Sequence, residues 1–138
     1  MNWVTLVVWL VTAVGGFTLI GIWLQHGGAG STATRRFPKP LPFLHGLTAV
    51  ISLVLFLIYI FADMDSLKIV TLVGLLITAA LGIAMFVMWL GGARTRIASV
   101  NADSAPEDHF PTPIVALHGI AAVATLILYI VAAFVVAS

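Results

Sequence analysis

The stretch "PFLHGLTAVISLVLFLIYIFA", residues 42–62, indicates the class of fold, because it is apolar throughout and long enough to cross a membrane. A related stretch, "PIVALHGIAAVATLILYIVAAFVV", occupies residues 113–136 and contains the same Leu-His-Gly sequence. Residues 3–24 and 67–90 form two further apolar runs. At a rise of about 1.5 Å per residue, each run can cross a hydrocarbon core of roughly 30 Å as a helix. The sequence therefore predicts four membrane spans.

The composition supports a membrane protein and excludes several functions. Apolar residues make up 62% of the 138 residues and charged residues 8%, and the mean hydropathy is +1.18. A chain with so few polar residues cannot cover its surface for water, so we expect a single membrane domain over residues 1–138. The net charge of +1 argues against nucleic acid as a partner. The absence of cysteine excludes disulfides, thiolate metal sites, iron-sulfur clusters and covalently attached haem.

The basic residues predict the orientation of the chain. Arg35, Arg36 and Lys39 lie between the first and second spans, and Arg94 and Arg96 lie between the third and fourth. The positive-inside rule places both connections in the cytoplasm, with both termini outside, in what we expect to be a bacterial cytoplasmic membrane. The first two residues supply no basic leader, so the first run is expected to be a span rather than a cleaved signal peptide.

The chain also contains an internal repeat. Span one aligns with span three at an offset of 66 residues, as from Val4 to Val70, and span two aligns with span four at an offset of 73, as from His45 to His118. Residues 3–62 and 67–136 are therefore predicted to be parallel two-span repeats, related by a pseudo-twofold axis along the membrane normal. Short connections favour an all-α, up-down-up-down four-helix bundle with sequential neighbours in contact, in which spans two and four are diagonal.

Helical spacing places similar residues in line with both histidines. Steps of three or four residues predict inward faces on spans two and four. These faces comprise His45, Ala49, Ser52, Phe56 and Tyr59, and His118, Ala122, Thr125, Tyr129 and Ala132. On the other two spans, the repeat aligns Thr12, Gly16 and Trp23 with Thr78, Gly82 and Trp89. The glycines at these positions can admit either a flat group or a closely packed helix.

Paired histidines suggest a haem site. A single histidine near the membrane boundary is usually structural, but two opposed imidazoles can ligate a six-coordinate haem iron from both sides. We therefore predict that His45 and His118 bind the iron of a non-covalent haem b, with the second ring N–H of each donating to a carbonyl or hydroxyl. The other predicted haem contacts are Gly16, Gly82, Ser52 and Thr125 around the ring, and Arg35 and Arg36 near the propionates.

This arrangement of four spans with histidines on facing helices resembles the small membrane b-type cytochromes, of which the cytochrome b561 group is an example. The resemblance is architectural, covers all four spans and depends on His45 and His118. It implies an electron carrier that exchanges electrons with a partner such as a quinone or a redox protein. It implies no particular substrate and no stand-alone enzymatic reaction.

Two other functional classes remain open. In the first, the chain is a structural or assembly subunit of a larger membrane complex or homo-oligomer, and the histidines form hydrogen bonds between helices. In the second, it is a small metal transporter that uses histidine with Met85 and Met88, whose thioethers suit Cu(I). The absence of carboxylates within the spans argues against transport of ions or protons.

The remaining histidines are expected to be solvated. His26 follows span one and has no counterpart in the second repeat, and His109 lies in a polar connection beside Glu107 and Asp108. A divalent metal at these three neighbouring residues is an alternative interpretation, although a solvated loop is the more common role. Three of the four tryptophans lie near span ends and are predicted to anchor the protein at the membrane interface. They are Trp3, Trp23 and Trp89.

Overall fold

The computed structural model describes residues 1–31, 35–96 and 104–136, which form helices joined by short connections. Four of these helices are long and apolar enough to cross a membrane, so the predicted all-α class and the four predicted spans are confirmed by length and composition. Their limits agree with the apolar runs to within a few residues, except that the third helix continues beyond Leu90. The elements in chain order are α1 (Asn2–Gln25), α2 (Pro40–Ala62), α3 (Leu67–Arg96), a 3-10 helix (Pro106–His109), α4 (Thr112–Ile130) and a π-helical segment (Val131–Val136).

Proline and a left-handed residue define the limits of α2. Pro40 is the first helical residue, where the missing N–H has no consequence because that group would lack a helical partner. The helix ends at Ala62, because the next residue, Asp63, has a left-handed φ of 52° that stops the helical path. Prolines also occupy the beginning of α4, where Pro111 is the cap and Pro113 lies in the first turn.

The helices associate most extensively as two pairs. α2 packs along α3, and α1 packs along α4, whereas α1 meets α2 and α3 meets α4 over few positions. Packing between sequential neighbours is therefore less even than predicted. The reason is that glycines on α1 and α3 allow the partner helix to approach closely: Gly15 and Gly16 face α4, and Gly74 and Gly82 face α2.

An aromatic core joins the two pairs at one level of the bundle. The Trp9 indole of α1 stacks on the Phe56 ring of α2, with centroids 5.2 Å apart, and both rings contact Tyr129 of α4 edge to face. Tyr59 and Leu75 complete the contact with α2 and α3. We call this group the central cluster. It provides much of the apolar contact between the two pairs.

The predicted inward faces of α2 and α4 are confirmed by burial over most of their length. The buried members are Ser52, Phe56, Tyr59, Thr125, Tyr129 and Ala132. Large apolar side chains on the opposite faces are exposed, as expected for a surface that contacts lipid.

Interfacial anchoring is the wrong explanation for two of the tryptophans. Trp3 is 64% exposed, which suits an anchor, but Trp23 is 1% exposed and Trp89 is 7% exposed. These two indoles form a second buried group with Phe37, which lies just before α2. We call this group the cap cluster. It encloses the end of the bundle at which α1 ends and α2 and α4 begin, because the chain folds back there over the helix ends.

Candidate functional site

The two repeated histidines lie next to each other. His45 projects from the second turn of α2 and His118 from the second turn of α4, and their ring centroids are 6.2 Å apart with an angle of 74° between the planes. Both side chains are half-buried. The site lies between the central cluster and the cap cluster along the bundle, so packed aromatic groups lie on both sides of the histidines along that axis.

Each imidazole is held by the helix that pairs with its own. The Nδ1 atom of His45 lies 3.0 Å from the carbonyl oxygen of Thr78 on α3, and that of His118 lies 2.9 Å from the carbonyl oxygen of Thr12 on α1. A carbonyl oxygen only accepts hydrogen bonds, so Nδ1 must carry the proton and donate. In the neutral ring, Nε2 then keeps its lone pair and is the nitrogen that is free to bind a metal.

Glycines provide the space for both rings. A Cβ atom at Gly82 would lie 3.1 Å from Cε1 of His45, and one at Gly16 would lie 3.1 Å from Cε1 of His118. Gly15 is equally close to His118, with 3.2 Å from its would-be Cβ to the histidine Cβ. The glycines predicted to line a cofactor thus contact the imidazoles themselves. Larger residues at these positions would displace the rings.

The predicted lining residues Ser52 and Thr125 have hydrogen-bond partners other than the histidines. The Ser52 hydroxyl donates to the carbonyl of Thr48 at 2.7 Å, and the Thr125 hydroxyl donates to the carbonyl of Ala121 at 2.8 Å. Thr125 also shares a 3.1 Å hydrogen bond with the hydroxyl of Thr12. The hydrogen bond of Ser52 lies within α2, whereas that between Thr125 and Thr12 joins α4 to α1 next to the site.

Hydrogen bonds between threonines fix the residues that orient the imidazoles. The hydroxyl of Thr12 is bonded to that of Thr125, and the hydroxyl of Thr78 donates to that of Thr48 at 2.9 Å. These contacts link α1 with α4 and α3 with α2 at the level of the histidines. The sequence did not identify the carbonyls of Thr12 and Thr78 as the acceptors, although the alignment of these two threonines in the repeat was a usable signal.

The close packing of α2 against α3 gives a testable consequence at Gly74. A methyl group at this position would overlap the Ser52 hydroxyl, so we expect Gly74→Ala to lower the free energy of unfolding by about 1–3 kcal/mol. The change is measured by thermal or detergent-induced unfolding of purified protein, followed by circular dichroism. Combining Gly74→Ala with Ser52→Ala should restore most of the loss, because the overlapping oxygen is gone.

Gly21→Ala is the matched control for that experiment, since no atom lies within 4 Å of a Cβ at Gly21. It should be neutral or stabilising, because alanine favours a helix more than glycine does. Equal losses for Gly21→Ala and Gly74→Ala would contradict the packing explanation.

Arg35 and Arg36, which were predicted to contact the propionates, lie in the connection before α2, at the same end of the bundle as the cap cluster. Both are bonded to other residues of the chain. Arg35 donates through Nη1 to the carbonyl of Gly28 at 3.2 Å. Arg36 forms an ion pair with Asp108, next to the 3-10 helix residue Glu107. The guanidinium groups thus tie the connection before α2 to neighbouring segments. The side chains of two other basic residues of the predicted cytoplasmic connections, Arg94 and Arg96, lie outside the described part of the chain.

Glu107 is fully buried, so the prediction of a solvated loop is wrong for this residue. Its Oε1 accepts hydrogen bonds from Nε1 of Trp23 at 2.8 Å and from the backbone N–H of Phe37 at 3.2 Å, and its Oε2 accepts from the backbone N–H of Arg36 at 3.2 Å. Three donors replace the water that a buried carboxylate loses. The carboxylate therefore fastens the 3-10 helix to the end of α1 and to the segment before α2.

The two other histidines are exposed, as predicted, but they lie together. The rings of His26 and His109 stack with centroids 3.7 Å apart and an angle of 16° between their planes. Within the described residues, no group of three or more histidine, aspartate or glutamate side chains is placed to hold a metal ion. The interpretation of His109, Glu107 and Asp108 as a divalent-metal site therefore gains no support from the geometry.

Among the described residues, the histidine site offers two oriented imidazoles and no carboxylate or thiolate. This donor set suits a group that takes two protein ligands. Comparison of the sequence with known protein families, with curated proteins and with solved structures gives no match. A functional assignment must therefore come from the site itself.

Proposed function

We propose that the chain is a membrane electron-transfer protein similar to the b-type cytochromes, in which His45 and His118 are the axial ligands of haem b. The proposal depends on one observation. The two neighbouring imidazoles are held in the same way, each by a hydrogen bond from Nδ1 to a backbone carbonyl. Metal-ligating histidines usually make such a bond with the ring nitrogen that does not bind the metal. A protein carbonyl on each side orients the ligand and raises its basicity.

The separation of the rings fits ligation of one iron atom. A bond from imidazole nitrogen to a metal is about 2.0 Å, and the nitrogen lies about 1 Å from the ring centre, so two opposed ligands have centroids about 6 Å apart. The observed distance is 6.2 Å. The backbones of the two helix pairs approach each other less closely, through α1 and α2 or through α3 and α4, than the helices within each pair do, which is compatible with a group bound between the pairs at the level of the histidines.

Matching contacts in the two halves support a duplicated site. His45 contacts Thr78 and Gly82, and His118 contacts Thr12 and Gly16, so each ring has a threonine carbonyl and a glycine from the other repeat. We infer that the repeats are parallel and related by a pseudo-twofold axis in an up-down-up-down bundle. Such symmetry turns one histidine position into two opposed ligands at one depth.

The haem would supply a one-electron couple, and the protein would set its environment. His45 and His118 would hold the haem iron, the carbonyls of Thr12 and Thr78 orient their imidazoles, and the aromatic clusters on both sides would limit access of water. We place the site near the cytoplasmic face of a bacterial membrane with both termini outside, following the positive-inside rule. A quinone or a redox protein is the electron-transfer partner in this proposal.

The proposal is tested by the visible spectrum of the purified protein. Protein from membranes of a haem-producing host, or haem-free protein titrated with haemin, is expected to show the Soret and α bands of low-spin haem b after reduction. Pyridine haemochrome analysis should give an amount of haem equal to that of the chain. Colourless protein that also fails to bind added haemin would rule out the proposal.

The second candidate is a structural or assembly subunit, in which no cofactor binds. One observation favours it: the two imidazoles are already oriented edge to face, with centroids 6.2 Å apart, in a bundle that has aromatic clusters on both sides of them. Under this proposal the histidines join the pair formed by α2 and α3 to the pair formed by α1 and α4. The same titration distinguishes the two functions, because a structural site leaves the spectrum of added haemin unchanged.

A further inference from the structure

Among the described residues, a buried indole N–H in the cap cluster has no hydrogen-bond partner. Trp89 is 7% exposed, and its Nε1 atom makes no hydrogen bond within the described part of the chain. Its counterpart in the repeat, Trp23, is similarly buried but donates from Nε1 to the Glu107 carboxylate at 2.8 Å. The two halves therefore differ here: one indole has a carboxylate partner, and the other has no partner among the described residues.

The Trp89 indole lies about two helical turns from the histidine site, on the side of the cap cluster. Met85 and Val115 pack against the cap cluster that contains Trp89. Met85 is one helical turn from Gly82, the glycine that contacts His45, and Val115 is one turn from His118. Trp89 itself lies seven residues beyond Gly82 on α3, which corresponds to about 10 Å along the helix. This length is similar to the reach of a haem from its iron to its propionate carboxylates.

We propose that Nε1 of Trp89 donates a hydrogen bond to a propionate carboxylate of the haem held by His45 and His118. The inference rests on the proposed function and names a further contact of the same ligand. An indole N–H that is buried without an acceptor destabilises a folded protein, and a bound molecule that supplies an acceptor would remove that cost. Trp23, the equivalent indole in the other repeat, donates its N–H to a carboxylate, that of Glu107. A carboxylate is therefore the acceptor that we expect for Trp89.

The charged groups nearby are compatible with an additional carboxylate. The side chain of Arg36 lies against Gly92, one turn beyond Trp89 on α3, and is paired with Asp108. A cation is therefore present on the same side of α3 as the indole. Indole is a donor only, so it selects an acceptor such as a carboxylate over a cationic group.

The experiment compares haemin with haemin dimethyl ester, whose propionates are uncharged. Haem-free wild-type, Trp89→Phe and Trp23→Phe proteins in detergent are titrated with each compound, and binding is followed in the Soret band. Trp89→Phe is expected to weaken haemin binding about tenfold or more, the effect of losing a hydrogen bond to a charged group. Its effect on the dimethyl ester should be several-fold smaller.

Trp23→Phe is the control, because its indole already has a partner within the protein. It should lower the thermal stability of the haem-free protein and change the binding of both compounds by the same factor, whereas haem-free Trp89→Phe should retain wild-type stability. Equal effects of Trp89→Phe on both compounds, or no effect, would overturn this inference while leaving the haem site intact. Failure of the wild-type protein to bind either compound would instead refute the proposed function.

Discussion

Replacing either His45 or His118 with alanine is expected to abolish the low-spin haem spectrum. In the proposed function, each substitution removes one ligand of the iron, and it also removes the hydrogen bond from Nδ1 to a threonine carbonyl on the paired helix. Iron with a single imidazole becomes five-coordinate or binds water, so the sharp α band should disappear and the Soret band should shift. The spectra of the reduced and oxidised proteins provide the measurement.

The two other histidines provide matched controls. His26→Ala and His109→Ala remove imidazoles of the same chemistry that stack on each other at the surface, away from the paired rings. Both should retain the wild-type spectrum. Circular dichroism in detergent establishes that the variants of His45 and His118 remain helical. An unchanged spectrum in a folded His45→Ala or His118→Ala protein would exclude ligation by that residue.

The positions of the spans and of the inward faces could be predicted because they depend on local properties of the sequence. An apolar run of sufficient length must form a helix in lipid, since every backbone polar group needs a partner within the segment. Helical periodicity then places Ser52, Phe56 and Tyr59 on one face, and all three are buried. The limits of α2 follow from Pro40 and from the polar residues after Ala62.

The structural role of the two glycines aligned by the repeat could be predicted only in part. Gly16 and Gly82 were expected to admit a flat group or a close helix, and the structure places the edge of an imidazole against each. Which group fills such a space depends on the rotation and separation of both helices in a pair. The acceptors of the imidazole N–H groups were not identified from the sequence, because any of several carbonyls on the facing helix has the right chemistry, and the alignment of Thr12 with Thr78 was the one signal that pointed to them.

The packing of the 3-10 helix against the cap cluster could not be predicted from local sequence. Glu107 and Asp108 lie in a polar segment, where a solvated loop is the usual structure. The burial of Glu107 depends on Trp23, which is 84 residues away in the sequence. The stacking of His26 on His109 likewise requires the 3-10 helix to fold back over the end of α1. Contacts of this range carry no periodic signal in the sequence.

Replacing Glu107 with alanine is expected to cause the largest loss of stability among single substitutions in the 3-10 helix and the connection before α2. The change leaves the indole N–H of Trp23 and the backbone N–H groups of Arg36 and Phe37 without their acceptor. Each unpaired buried donor costs about 1–3 kcal/mol, and the relief from burying a carboxylate offsets only part of that cost. We expect a net loss of about 2–4 kcal/mol in the free energy of unfolding.

Thermal unfolding in detergent, followed by circular dichroism, should show a fall in melting temperature on the order of 10 °C for Glu107→Ala. Glu107→Gln should lose less, because the amide oxygen can still accept from Trp23 or from a backbone N–H. Asp65→Asn is the matched control, since the Asp65 carboxylate is 74% exposed and pairs with Lys68 at the surface. That variant should change stability by less than about 0.5 kcal/mol. If Glu107→Ala and Asp65→Asn proved equally stable, the buried carboxylate would not fasten the 3-10 helix to α1, and the cap would be held by its apolar contacts alone.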